Sequence, residues 1–518
     1  MSSSVFPLLR LPNELLMYIA DFLGPPDFPS CNPGWLVLPA VCTRLRAVFR
    51  SSLDPSAGEL SGHTYAAEEE ECNVYWSCSP PVYSGGNVAF AHWSLHLKAE
   101  EDAGSYGWEA IDRHLGFPLL LHGPHCLNTT WITTLILECE AWEVGGAWDY
   151  CTFQYAPCFV APALRWLDLR NYVVDWRCRG LEFLSVRMDS ENYMYYRYPV
   201  AHLFERLVES RQTLQRVDLA HCLQTRYKAD GAEGVIPDAL TFPNLNKFEL
   251  KTATNEAVYF AQRISFPSHC LPTFNVHGSA IGFLHCFSRD SNPHGGKTQM
   301  NALTIREAAR TSGYGCTVTG SRISGMDELA LHTYASERVP RLDRYGYGQE
   351  IGRLDGKTPG FEPVFIANLD WSVAAWSDPQ SLGMSSTSVG PGDMQGVRYI
   401  FVNGKKGRLF KRGTASADVW TTLLRHLPNV RALYVNAPSY DALSPLLSIP
   451  KPDEPVLLPE LRLLWLGCAP GRPKEDVDAG WLLDILAVRA GRAPDLDVDC
   501  MPECIRLVGD VGDVQHFS

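Results

Sequence analysis

The chain of 518 residues has no stretch approaching about 18 consecutive apolar residues, so it offers no candidate membrane-spanning helix. Residues 1–10 lack the basic segment followed by an apolar one that marks a secretory signal. A cytoplasmic or nuclear location, where thiols stay reduced, is therefore expected. Positive charge is in deficit, with 45 Lys and Arg against 58 Asp and Glu and a net charge of −13. Phosphate backbones need a basic stripe, so nucleic acid is not expected as the main partner, and neither is a membrane. The 16 cysteines are far too few for a disulfide scaffold, and none forms a C-x-x-C pair. Cys500/Cys504, Cys72/Cys78 and Cys151/Cys158 are the nearest approximations. His92 and His96 have the spacing of two ligands on one helix, but no Glu completes H-E-x-x-H, and His122, His125 and Cys126 lack a second pair. No metal or other cofactor is expected.

Signatures of catalysis are missing as well. There is no G-x-S-x-G elbow, and Gly313-x-Gly315 and Gly346-x-Gly348 lack the third glycine of a dinucleotide fingerprint, so both read as turns. The best enzymatic candidate is the run from Ser291 to Thr298, ending Gly296-Lys297-Thr298, between the apolar run 281–287 and a helix-like segment 299–310. A phosphate-binding loop needs a strand before it and a helix after it, so that backbone N–H groups wrap the anion. Here Ser291 replaces the first glycine and Pro293 removes one N–H. A polar loop is the plainer reading, with nucleotide binding as the minor alternative.

What the chain does contain is an ordinary globular mixture, 46% hydrophobic and 20% charged. Residues 11–23 read as one amphipathic helix: Leu15, Ile19 and Leu23 fall on one face, widened by Leu11, Leu16 and Phe22. Pro12 suits the first turn, Glu14 complements the helix dipole, and Gly24-Pro25-Pro26 stops the helix. Val41, Leu45, Val48 and Phe49 form a second periodic face. Taken by periodicity alone, these are two core helices of a larger domain.

The order of residues, Leu11-Pro12-x-Glu14-Leu15-Leu16-x-x-Ile19-x-x-Phe22-Leu23 and then Val41-Cys42-x-Arg44-Leu45-Arg46, resembles the F-box family motif over about 40 residues. The family's helical motif docks on a Skp1-type adaptor within a cullin–RING ubiquitin ligase, and the remainder of the chain captures a protein target. The resemblance implies adaptor-binding roles for Leu11, Pro12, Leu15, Leu16, Ile19, Leu23, Val41, Cys42 and Leu45. This sequence departs from the family where Pro29, Pro33, Gly34 and Pro39 interrupt the middle of the motif. The absence of paired cysteines implies that any ligase activity belongs to partners rather than to this chain.

Beyond residue 130 a frame recurs, apolar-x-x-apolar-x-apolar. Its clearest copies follow a proline: Leu164/Leu167/Leu169, Leu245/Phe248/Leu250, Val430/Leu433/Val435 and Leu461/Leu464/Leu466. Leu214/Val217/Leu219 has the frame alone. Weaker copies are Ile132/Leu135/Leu137, Leu181/Leu184/Val186, Leu271/Phe274/Val276, Met326/Leu329/Leu331, Val397/Ile400/Val402 and Ala493/Leu496/Val498. Such a frame arises by chance on the order of twenty times in a chain of this composition. The spacings carry more weight: 164→214→245 and 397→430→461→493 are 50, 31, 33, 31 and 32 residues. A period near 30 containing a strand and a helix marks a repeat array. Helices are expected at 202–213, 418–427 and 481–489. The frame resembles that of leucine-rich repeats, in which an Asn or Cys follows the strand; Asn171 and Cys222 meet that expectation.

The expected fold class is therefore α/β: a small helical F-box-like module at 1–55, a linker and atypical first repeat region at 56–130, and an irregular leucine-rich-repeat-like solenoid, a horseshoe, at 131–518. Loop insertions are expected at 285–325 and 370–396. The aromatic cluster Tyr193, Tyr195, Tyr196 and Tyr198 with Arg197 either packs the first repeats or contacts the substrate. The expected function is that of a non-catalytic substrate-recognition subunit of a Skp1–cullin–F-box type ubiquitin ligase. A repeat-type scaffold without a ligase role is the alternative.

Overall fold

A proline-led turn explains why the frame so often follows Pro. In Ala161-Pro162-Ala163-Leu164, Phe242-Pro243-Asn244-Leu245, Leu427-Pro428-Asn429-Val430 and Leu458-Pro459-Glu460-Leu461, the amide of the fourth residue donates to the carbonyl of the first, at 3.0–3.4 Å. Proline occupies the second position, where its fixed φ suits a turn. The residues at both ends of each turn are buried. Met394 to Val397 makes the same turn without proline.

The computed structural model describes residues 11–23, 60–65, 72–79, 83–84, 87–88, 92–99, 126–128, 132–139, 158–188, 197–224, 239–288, 300–308, 315–323, 361–370, 394–403, 414–436, 457–467, 475–478, 497–500 and 505–508. Two compact units divide the chain: residues 1–228 with 242–245, and 229–241 with 246–518. The sequence pattern had suggested a single repeat domain from 131 onward.

The first unit begins with helix α1 (Asn13–Leu23). Its sheet contains β1 (Leu60–Tyr65), β2 (Cys72–Ser79), β3 (His92–Ala99), β4 (Thr134–Cys139), β5 (Trp166–Arg170), β6 (Phe183–Arg187) and β7 (Arg216–Ala220), paired in that order. β1 to β3 are antiparallel and every later pair is parallel. The frame residues lie in register: Leu135, Leu167, Leu184 and Val217 form one cross-strand row, and Leu137, Leu169, Val186 and Leu219 the next. All eight are buried. The 50-residue gap between Leu164 and Leu214 is thus a 17-residue step to Leu181 and a 33-residue step onward.

Helix α2 (Val200–Glu209) lies ahead of β7, as its apolar stripe predicts, burying Val200, Leu203, Phe204 and Leu207. A second, shorter parallel layer joins residues 126–128, 158–160 and 175–177. After β5 and β7 the chain turns through Asn171 and His221, the same frame position, with left-handed φ of 52° and 54°. The Asn171 amide group donates to the Cys139 carbonyl (3.1 Å), tying this turn to the end of the neighbouring strand β4.

In the second unit the sheet runs β8 (Lys247–Ala253), β9 (Thr273–His277), β12 (Phe361–Asp370), β11 (Gly315–Ile323), β10 (Ala302–Ala308), β13 (Tyr399–Asn403), β14 (Ala432–Asn436), β15 (Leu463–Gly467) and β16 (Asp497–Cys500). Only β11 runs antiparallel to its neighbours. Leu303, Ile400, Leu433, Leu464 and Val498 form one row. Helices α3 (Thr254–Arg263) and α4 (Ala280–Ser288) pack on this sheet through phenylalanines, with Phe248, Phe260, Phe274, Phe283, Phe287 and Phe365 linked ring to ring at 4.2–6.2 Å. Helix α5 (Thr414–Arg425) leads into the turn before β14 and buries Val419, Trp420, Leu423 and Leu424.

Several expectations are corrected. Residues 285–325 are not one long loop, because the segment completes α4 and supplies β10 and β11. The helix-like segment after Thr298 contains strand β10, in which Leu303 and Ile305 alternate with Thr304 as a half-buried strand requires. Phe274 pairs with Leu250 rather than Phe248, a two-residue offset set by Thr252, which takes the next buried position on β8. His92 and His96 lie on strand β3, so their backbone positions are about 13 Å apart rather than one helical turn. Residues 371–393 of the insertion expected at 370–396, the helix expected at 481–489 and the frame at Met326 lie outside the described residues.

Candidate functional site

Helix α1 turns two apolar faces in different directions. Leu16 is 1% exposed and anchors it, while Leu15, Tyr18 and Phe22 are 46%, 69% and 91% exposed. Their i, i+3, i+7 spacing sets the three side chains in one stripe on the solvent side. The amides of Leu15 and Leu16 both donate to the Pro12 carbonyl (3.1 and 3.2 Å), so Pro12 caps the helix rather than lying within it. Among the residues implied by the motif, Leu15 and Pro12 are exposed, Leu11 and Ile19 half-buried, and Leu16 buried. Leu23 ends the helix; Val41, Cys42 and Leu45 lie outside the described residues. Tyr18 was missed by the sequence reading, although its distance of three from Leu15 and four from Phe22 was visible.

The second surface is the sheet face of the first unit opposite the buried frame rows. Because strand side chains alternate, the frame's intervening positions come together there. Trp166, Phe183 and Arg216 occupy one cross-strand row. Trp166 stacks on Phe183 with ring centroids 3.6 Å apart, and the Arg216 guanidinium carbon lies 5.1 Å from the Phe183 centroid. Trp166 remains 41% exposed. The next row is Ile136, Asp168, Ser185 and Asp218, and beyond it come Glu138, Arg170, Arg187 and Ala220. Arg170 Nη1 donates to Glu138 Oε1 (2.8 Å), and Arg187 pairs with Asp218. The face thus presents the exposed Trp166 ring on a buried Phe183, beside the ion pairs Glu138–Arg170 and Arg187–Asp218. No protein-family model, curated protein or solved structure matches this chain.

Of the predicted aromatic cluster, Tyr198 is fully buried. Its hydroxyl donates to the Val174 carbonyl (2.7 Å) and accepts from the Val174 amide (3.1 Å), and its ring meets Trp176 edge-on at 5.8 Å. It presents no surface to a partner. Arg197 is half-buried, and its carbonyl accepts from the Gln224 side chain (2.9 Å); Tyr193, Tyr195 and Tyr196 lie outside the described residues. Trp166, stacked on the buried Phe183, is the ring that reaches the surface here. The frame itself marks the two, since each stands one residue before its second apolar position, on adjacent strands.

Thiol chemistry is disfavoured at Cys178 and Cys222. Burial pushes the Cys178 thiol up to about 11 and the Cys222 thiol up to about 12, where little thiolate exists at neutral pH. Among the described residues, no three His, Cys, Asp or Glu side chains are grouped to hold a metal ion, and no helix is long and apolar enough to cross a membrane. The setting of Gly296-Lys297-Thr298 is the reverse of a phosphate-binding loop: helix α4 precedes it and strand β10 follows. Such a loop needs the N-terminus of a helix after it.

Proposed function

We propose that the chain is a substrate-recognition subunit of a Skp1–cullin–F-box type ubiquitin ligase, with a leucine-rich-repeat-like array as its target-binding part. The exposed Leu15, Tyr18 and Phe22 stripe carries this reading. Burying a large apolar side chain contributes roughly 1.5–3 kcal/mol, so three on one helix are strong anchors for a partner's groove. The motif order around them names the partner as a Skp1-type adaptor. Support for the array comes from the in-register frame, the repeated turn and the left-handed residues after β5 and β7.

In this reading the chain performs no bond chemistry. It holds a target near a ubiquitin-loaded enzyme and raises the effective concentration of the target's lysines to roughly the mM range. The Trp166–Phe183 platform is the target contact, because exposed Trp beside Arg in a packed setting is the composition of an interface hot spot. The test is co-purification of the adaptor with the tagged full-length chain. Wild type is expected to retain it and Leu15→Glu/Tyr18→Glu/Phe22→Glu to lose it, with unchanged thermal unfolding because all three side chains are exposed. Equal retention by both proteins rejects the reading.

A further inference from the structure

A single backbone arrangement opens the strands in both units. The amide of the residue just before a strand and that of the strand's first residue both donate to one carbonyl of the preceding repeat. In the first unit Glu182 and Phe183 bond the Arg165 carbonyl (2.7 and 2.9 Å), and Gln215 and Arg216 bond that of Glu182 (2.8 and 3.0 Å). In the second, Arg431 and Ala432 bond the Arg398 carbonyl (2.8 and 3.2 Å), and Arg462 and Leu463 bond that of Arg431 (2.8 and 3.0 Å). The residues at this position therefore stack in a column along each sheet, one per strand, about 4.8 Å apart.

The two columns differ in charge. The first reads Thr133, Arg165, Glu182, Gln215, and its charges pair: Arg165 Nη1 is 3.9 Å from Glu182 Oε1, and Gln215 Nε2 donates to Glu182 Oε2 (3.3 Å). The second reads Asn301 and then three arginines, Arg398, Arg431 and Arg462. Like charges on adjacent strands repel, and among the described residues no carboxylate pairs with any of the three. Arg398 Nη1 donates only to the Asn429 carbonyl (3.2 Å), and the Arg431 Nε lies out of solvent with no hydrogen-bond partner. A chain with a net charge of −13 has carboxylates to spare, yet none among the described residues is supplied here.

We propose that the Arg398–Arg431–Arg462 column docks an acidic segment of a protein partner, bound in extended form. Guanidinium groups pair with carboxylates in planar, two-pronged fashion. Three of them span roughly 10 Å in a line, and an extended peptide places same-side carboxylates about 6.7 Å apart, so at least two meet the column. A lone phosphate calls for converging rather than aligned cations, and a polyanionic nucleic acid is repelled by the acidic chain as a whole. This surface is independent of the adaptor-binding stripe.

The experiment is fluorescence anisotropy of a labelled polyglutamate peptide against the full-length chain. Saturable binding that weakens with salt is expected, and Arg398→Gln/Arg431→Gln/Arg462→Gln should weaken it by at least about tenfold. Arg165→Gln, at the matching position of the charge-paired column, should leave it within about twofold. If the triple variant unfolds by circular dichroism, Arg462→Glu, an exposed single change, should still weaken binding severalfold. No saturable binding at low salt, or equal binding by the variants, overturns the proposal. So does displacement of the peptide by inorganic phosphate at lower concentration than by unlabelled polyglutamate. Adaptor co-purification by the triple variant, expected at the wild-type level, separates a failure here from a failure of the ligase reading.

Discussion

Asp175 illustrates how single residues tie the layers of the first unit together. It accepts from His202 Nε2 (3.0 Å), Arg206 Nε (2.8 Å), Arg206 Nη2 (2.9 Å) and the Trp176 amide (2.9 Å), so helix α2 is fastened to the short strand 175–177. Burial alone would raise its carboxyl, but the His202 and Arg206 hydrogen bonds outweigh that and hold it at about 2, below the free value of 3.8. A depressed carboxyl stabilises the fold fully above the free value and loses that contribution as pH falls through about 4 toward 2. The loss amounts to roughly 1–2 kcal/mol. Asp175→Asn removes the charge while leaving Arg206 largely buried, and should cost about 2–4 kcal/mol in urea unfolding at pH 7 while flattening the acid limb between pH 4 and 2. An unchanged acid limb would assign that limb to other carboxylates.

At the scale of the element, the turn before each strand is more than a reversal of direction. In the Pro-Asn copies the asparagine reaches back to the turn before the preceding strand: Asn244 Nδ2 donates to the Gln212 carbonyl (2.5 Å) and Asn429 Nδ2 to the Gln395 carbonyl (2.9 Å). In both cases the acceptor stands two residues before the first position of the preceding copy of the frame, Leu214 or Val397. Asn244→Ala and Asn429→Ala should each cost about 0.5–1.5 kcal/mol, and the two should add because the sites lie in different units. A double variant markedly worse than the sum would show that the turns act together. The strands were legible because Leu167, Val217, Leu433 and Leu464 repeat at fixed distances from a turn residue. Strands β10 to β12 were not, since β11 runs antiparallel between the other two and the recurring frame, which marks parallel strands, does not describe that arrangement. Helix α1 was legible in extent but not in orientation: periodicity groups Leu15, Ile19 and Leu23, and only packing decides that Leu16 anchors the helix while Tyr18 and Phe22 face solvent.

Across the whole molecule, the net charge of −13 conceals an uneven distribution: the sheet face of the first unit pairs Glu138 with Arg170 and Asp218 with Arg187, whereas among the described residues no carboxylate pairs with the arginine column of the second unit. Composition alone could not reveal this, because it depends on which residues share a register. The division near residue 229 was equally hidden, since the 31-residue step from Leu214 to Leu245 spans it without a break in rhythm. In the proposed reading two separate surfaces on this chain do two separate jobs, adaptor docking and target capture. The most direct measurement is quantitative co-purification of adaptor and target by the wild-type chain and two variants, with thermal unfolding followed in parallel. Leu15→Glu/Tyr18→Glu/Phe22→Glu is predicted to lose the adaptor and keep the target; Trp166→Ala is predicted to keep the adaptor and lose the target by about tenfold or more. Loss of both by either folded variant, or of neither, would contradict the account.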